Sequence, residues 1–196
     1  VTDKGRSLAE IMLGETLHHL FPPKGLGIEV GPAAFSVRGL HAGAAFEQIS
    51  FEARRGEILG VFGLVGSGLD ELSKVLFGAL PRLAGDMHID GQPVSPVSPR
   101  DALKSGIFLV PGDRRTEGLT MTQGAAFNTQ LANLDRASGR GGLLRRRSNQ
   151  QTARELAGKV DLQPPVLDRP VSNFSGGNQQ KVVIAKGIFT QARVYI

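Results

Sequence analysis

Apolar positions along the 196-residue chain follow two periods. Short runs with strand character crowd the first half, at Phe35–Arg38, Phe46–Glu52, Ile58–Phe62 and Met87–Ile89. Ile107–Val110 is an unbroken apolar run of strand length, as expected of a parallel strand covered on both faces. Helical spacing takes over at Leu69, Leu72, Leu76 and Ala79, and helices are expected near Asp101–Lys104, Ala125–Leu134, Asn149–Val160 and Asn178–Phe189. Pro93–Pro99 reads as a proline-spaced loop, and Ala192–Ile196 as a final strand. Between about 119 and 168 apolar strand-like runs are scarce, and the Gly- and Arg-rich stretch Ser138–Arg147 divides two helical candidates. At the start, Ser7 and Glu10 have capping-box spacing before an apolar stripe of Leu8, Ile11 and Met12. Phe21–Gly25 then breaks any helix and reads as a linker. Strands interleaved with helices predict an α/β domain preceded by an attachment of about 31 residues.

Two glycine-bearing segments carry the candidate chemistry. The first runs Gly63-Leu64-Val65-Gly66-Ser67-Gly68 between an expected strand and an expected helix. That order is the order of a P-loop, whose backbone N–H groups wrap phosphate oxygens. Its glycines fall as G-x-x-G-x-G, which excludes the dinucleotide fingerprint G-x-G-x-x-G. The loop is damaged, because Leu69 and Asp70 stand where a P-loop has lysine and a hydroxyl. Losing a hydrogen bond to a charged group, about 1.5–3 kcal/mol, weakens phosphate binding roughly ten- to a hundredfold. A carboxylate about 4 Å from a phosphate adds a repulsion on the order of 4 kcal/mol at an effective dielectric near 20. The simpler reading of Asp70 is that it satisfies the helix N-terminus itself, in the place of a phosphate. The second segment is Asn173-Phe174-Ser175-Gly176-Gly177-Asn178-Gln179-Gln180-Lys181. It opens a helix with a serine and two glycines, leaving orphan N–H donors at the positive end of the helix dipole.

The second segment resembles the signature loop of ATP-binding cassette (ABC) ATPases, in the Ser-Gly-Gly-Asn-Gln-Gln-Lys form of bacterial sugar importers. Nearly the whole chain resembles the second, C-terminal nucleotide-binding half of the two-cassette ATPases of ribose-, xylose- and galactoside-type importers. Gly56–Val61, Leu76–Pro81, Asp113-Arg114-Arg115 and the signature run carry the likeness, in the family's order and spacing. The resemblance implies a P-loop NTPase fold of ABC type, with a mixed sheet core and a helical subdomain at about 119–168. It implies that residues 1–31 are the tail of a preceding cassette with its linker, and that 32–196 are a second nucleotide-binding domain incomplete at its C-terminal end. Gly112 corresponds to the Q-loop position near Mg²⁺ and offers no side-chain ligand; His41 is the ring nearest the adenine-stacking position. Ala192-Arg193-Val194-Tyr195-Ile196 resembles the start of the Walker B strand, whose Asp and Glu, like the later switch His, are not among these residues. No catalytic residue is therefore expected within it.

In such pairs each ATP is sandwiched between the P-loop of one cassette and the signature loop of the other. The implied function is ATP-driven sugar import, with Mg²⁺. Ser175, Gly176, Gly177, Asn178 and Gln179 would serve the partner's ATP. Gly63, Gly66, Ser67, Gly68, Leu69 and Asp70 would form a weak site. Implied partners are the first cassette, transmembrane permease subunits and, through them, a periplasmic sugar-binding protein, placing the chain at the cytoplasmic face of the inner membrane. The alternative is a non-catalytic module that keeps the cassette fold for docking.

Composition narrows the remaining classes. There is no cysteine, hence no disulfide framework, thiolate nucleophile or cysteine-bound metal. No run approaches the roughly 18 apolar residues of a membrane span. The net charge of +5 and Arg145-Arg146-Arg147 invite a nucleic-acid reading, but one Tyr, no Trp and no aromatic within the arginine run argue against base stacking. The four histidines, His18, His19, His41 and His88, lie at spacings unsuited to a metal, and no metal site is expected.

Overall fold

The computed structural model describes residues 31–196; the expected N-terminal helix and linker, with His18 and His19, lie outside the described residues. An antiparallel sheet opens the fold, formed by β1 (Ala33–His41), β2 (Ile49–Arg54), β3 (Ala84–Ile89) and β4 (Gln92–Val94) in the order β2-β1-β3-β4. Its inner face buries Phe35, Val37, Leu40, Met87 and Ile89. The β1–β2 register slips between Val37 and Leu40, where the Gly39 N–H donates to Ser50 Oγ at 2.8 Å instead of to the ladder. Helix α1 (Leu69–Leu76) lays Leu72, Val75 and Leu76 into the same core, so the loop before it is set against the sheet.

Helix α2 (Pro99–Ser105) is written in its caps. Ser98 Oγ accepts from the Asp101 N–H at 3.2 Å, proline opens the first turn, and Gly106 closes it in the left-handed conformation. It delivers the chain to β5 (Ile107–Phe108), which runs parallel to β6 (Val194–Tyr195); the Val110 N–H donating to Ile196 O at 2.8 Å extends the pairing. A π-helical turn (Arg114–Gly118) follows, then α3 (Ala125–Gln130), α4 (Leu134–Ala137), α5 (Arg146–Lys159) and α6 (Gly176–Thr190). These helices enclose a second core around Ala153, Ala157, Val171, Phe174, Val182 and Val183. Asn128, fully buried, braces its entrance by accepting from the Thr120 N–H at 2.7 Å and donating to three carbonyls of residues 120–124.

Helix α6 crosses the parallel pair at Gly187, where an added Cβ would stand 2.8 Å from the Phe108 ring and 2.9 Å from Tyr195. Gly187→Ala is expected to cost about 1–3 kcal/mol through overpacking, although alanine favours helix. Urea unfolding checks the sign; a stabilised variant would mean that the rings move aside freely.

Three expectations change. Ile58–Phe62 forms no strand: residues 57–64 have no regular structure, and Ile58 and Phe62 are 99% and 95% exposed. A parallel strand needs a ladder partner and a covering layer, and no strand among the described residues pairs with this run. The helix expected over 125–134 breaks after Gln130 and restarts at Leu134, because Asn133 caps the new helix by accepting from the Arg136 N–H at 3.0 Å. Within the loop expected at Pro93–Pro99, Pro93 and Val94 pair with β3 as the short edge strand β4.

Candidate functional site

The P-loop residues fold into a tight turn at the head of α1. The Ser67 N–H donates to Leu64 O at 2.9 Å, and Gly66 and Gly68 both take the left-handed conformation, φ 84°. Gly68 is doubly constrained, since a Cβ there would also meet Ala45 O. It is the N-cap of α1, and no side chain caps that helix. The structure corrects the expectation that Asp70 satisfies the N-terminus. Its carboxylate lies in the first turn but turns along the helix to Lys74, at 2.7 Å. The hydrogen bond and charge of Asp70 hold the Lys74 ammonium above its ordinary pKa. Leu69 supplies no cation; with Leu72 and Leu76 it lines an apolar cavity of about 840 Å³ shared with Phe35, Phe51 and Ile196. Residue 69 therefore brings no cation to this turn, and residue 70 brings a carboxylate in place of a hydroxyl.

His41 ends β1 near this loop, its neighbours Ala45 and Phe46 packing on Gly68. Its Nδ1 lies 3.2 Å from Phe46 O, which ties the ring to the protein's own turn. Among the described residues no group of three or more His, Asp or Glu is arranged to hold a metal.

The Ser175 tip is built differently. Ser175 is the N-cap of α6, its Oγ accepting from the Asn178 N–H at 3.4 Å and from Asn178 Nδ2 at 3.1 Å. With its oxygen engaged as acceptor, the hydroxyl hydrogen is free to point outward as a donor. The N–H groups of Gly176 and Gly177 have no partner among the described residues. Open space lies over Gly177, where an added Cβ would meet nothing within 4 Å. Asn178 faces inward instead: its side-chain amide bonds both the N–H and the carbonyl of Gln163, and its backbone N–H is taken up by Ser175. Gln179 is buried at 1% exposure, donating from Nε2 to Val171 O and Phe174 O, both at 3.1 Å. Of the five signature residues, three thus present donors outward and two hold the tip in shape.

Sequence reasoning missed the support for this tip. Arg114, in the π-helical turn after β5, donates from Nε to Gln179 Oε1 at 3.2 Å and lays its guanidinium beside Gly176. Two turns along α6, Lys186 donates from Nζ to Gly118 O at 2.8 Å, closing a second tie to the same turn. Gln179 and Lys186 stand seven residues apart, hence on one helix face, which was the available signal. Gly112, exposed just before this turn, presents only backbone. No hydrogen bond joins the P-loop to the Ser175 tip among the described residues, so the structure holds two separate groups.

Burial lowers the Lys186 pKa below its ordinary 10.5. Between the lowered value and the unfolded value of about 10.4, the unfolded chain binds more protons, so this lysine makes stability rise with pH. Lys186→Met is expected to remove that rise, read as a flatter urea midpoint as the pH climbs towards about 10. Tyr195, whose pKa burial raises, acts in the opposite sense above about pH 10 and stays out of that window. An unchanged slope would show that Lys186 is not the group responsible.

An ABC transporter family model matches residues 46–196. Among curated proteins, the chain is 39% identical to the putative ribose/galactose/methyl galactoside import ATP-binding protein 1 of Agrobacterium fabrum, over 93% of this chain and 36% of that protein. It is also 39% identical to the ribose import ATP-binding protein RbsA 1 of Rhizobium johnstonii, over 100% of this chain and 38% of that protein. The chain thus spans little more than a third of the length of these curated relatives. A nucleotide-free ATP-binding cassette from an ABC transporter superposes with TM-score 0.69, covering 83% of this chain and 67% of that one, at 15% identity, a likeness of fold.

Proposed function

Because the chain belongs to the ABC transporter family, as the match over residues 46–196 shows, we propose that it lends its signature loop to a nucleotide held by a neighbouring cassette, within a sugar importer. The observation that carries this reading is the Ser175 tip, where an outward hydroxyl and two unpartnered N–H groups surround open space over Gly177. Such a cluster suits the terminal phosphate of a nucleotide approaching from outside the domain, and its dipoles stabilise charge developing there. ATP is the nucleotide, with Mg²⁺ bound on the partner's side. Ribose or a galactoside as cargo follows from what the relatives are named for.

On this reading the chain's own P-loop forms a degenerate site, supported by Leu69 in the lysine position and by the Asp70–Lys74 pair. Residues 32–196 constitute the second nucleotide-binding domain, 119–168 its helical subdomain, and 1–31 the end of a preceding cassette with its linker. The partner cassette, permease subunits and a periplasmic sugar-binding protein complete the assembly. No described helix is long and apolar enough to cross a membrane, and the chain would sit peripherally at the cytoplasmic face of the inner membrane.

Exchange of Ser175 for arginine in the full-length protein tests the reading, with sugar-stimulated ATP hydrolysis as the measurement. A second reading, a non-catalytic docking module, draws on the same Asp70–Lys74 pair and predicts no change in hydrolysis. An unchanged rate overturns the first reading and leaves the second.

A further inference from the structure

A hairpin within the helical part, between α4 and α5, presents a charged and apolar surface that the nucleotide chemistry leaves unused. The Gly139 N–H donates to Leu143 O at 2.8 Å, Ser138 bridges Leu144, and the Arg145 N–H donates to Ala137 O at 3.1 Å. Buried Asn149 fastens the base by donating from Nδ2 to Ala137 O at 2.7 Å. The tip is thus held in shape, yet residues 141–148 are all exposed, with Leu143 at 76% and Leu144 at 55%. Arg145, Arg146 and Arg147 follow directly, and no carboxylate lies within ion-pairing distance of them among the described residues.

The arginines also break a local rule. They occupy the N-cap and first two positions of α5, where the helix dipole disfavours cations; no side chain caps the helix and no acidic residue stands in its first turn. A sequence that accepts such a conflict marks a position where something outside the fold supplies the compensation.

We propose that this hairpin is a membrane-contact tip that binds an anionic phospholipid surface, the leucines entering the interface and the three guanidinium groups lying among headgroup phosphates. Leucines beside arginines on a convex loop fit a deformable surface of negative charge. A protein helix would require a groove, and single-stranded nucleic acid would require aromatic rings, which the 138–148 stretch lacks.

Co-sedimentation of the 196-residue chain with vesicles decides the matter. Vesicles of phosphatidylcholine with phosphatidylserine are expected to bind the chain, pure phosphatidylcholine vesicles far less, and binding is expected to fall as salt rises. Each arginine near such a surface contributes about fivefold, so replacing all three by glutamine should weaken partition roughly a hundredfold. Lysine at all three positions should retain it, because a lipid surface reads charge rather than the planar fork of arginine. Leu143→Ser with Leu144→Ser should weaken it severalfold, and circular dichroism of every variant should match the parent.

Equal binding to neutral vesicles that survives the glutamine changes would overturn the proposal, since it would point to the exposed apolar segment from Ile58 to Val65. Loss of binding in the lysine variant would overturn it too, indicating a shaped acidic protein site. Binding to RNA without binding to anionic vesicles would do the same.

Discussion

Ser175→Arg in the full-length protein is expected to lower sugar-stimulated ATP hydrolysis by at least about a hundredfold, the loss typical of removing one donor from a preorganised charge-stabilising site. The exchange removes the outward hydroxyl and fills the open space over Gly177 with a long side chain. It also deprives Asn178 of two bonds at the start of α6. Ser175→Ala is the milder companion: it keeps the space and deletes only the hydroxyl. Circular dichroism and unfolding of both variants show whether the cap loss, about 1 kcal/mol, has disturbed the domain. A folded arginine variant with undiminished turnover places the nucleotide elsewhere.

Repair of the P-loop has the second largest expected effect, and it works in the direction of gain. Leu69→Lys alone is expected to strengthen nucleotide binding about tenfold, because a restored cation contributes one charged hydrogen bond while the neighbouring carboxylate still opposes it. With Asp70→Ser added, a repulsion of up to about 4 kcal/mol disappears, and the combined gain should exceed about a hundredfold. The second change also releases Lys74, whose one ion pair among the described residues is with Asp70. A fluorescent nucleotide titrated into parent, single and double variants measures this. Equal affinity in all three would mean that residues 69 and 70 are not what weakens the site.

Both glycine-bearing segments stand at the head of a helix, as their sequence pattern predicts, and local chemistry explains why. Ser175 caps its helix and Gly68 takes a left-handed turn as their residue types dictate, and α2 begins and ends on its cap signals. Interactions within four residues are legible in principle: Asp70 and Lys74 stand at helical spacing, yet an acid at a helix start suits the N-terminus equally well, and sequence alone does not separate the two roles. The failure at Ile58–Phe62 has another origin. Apolar alternation reports a segment's fitness for a sheet, but whether a ladder partner is at hand depends on residues distant in sequence. Arg114 and Gln179 are 65 residues apart, and no local pattern announces that a buried glutamine will receive a guanidinium.

A rod held at one point can swivel about it; held at two, it cannot. Helix α6 is held at two, by Arg114 near its tip and by Lys186 two turns further on, both fixed to the same five-residue turn. Tilting the helix against that turn would break both bonds at once, and would leave the lysine ammonium without its carbonyl in a poorly hydrated setting. Turn and helix therefore travel as a single stiff member, and the angle at which Ser175 meets whatever lies before it is set from beneath the helix.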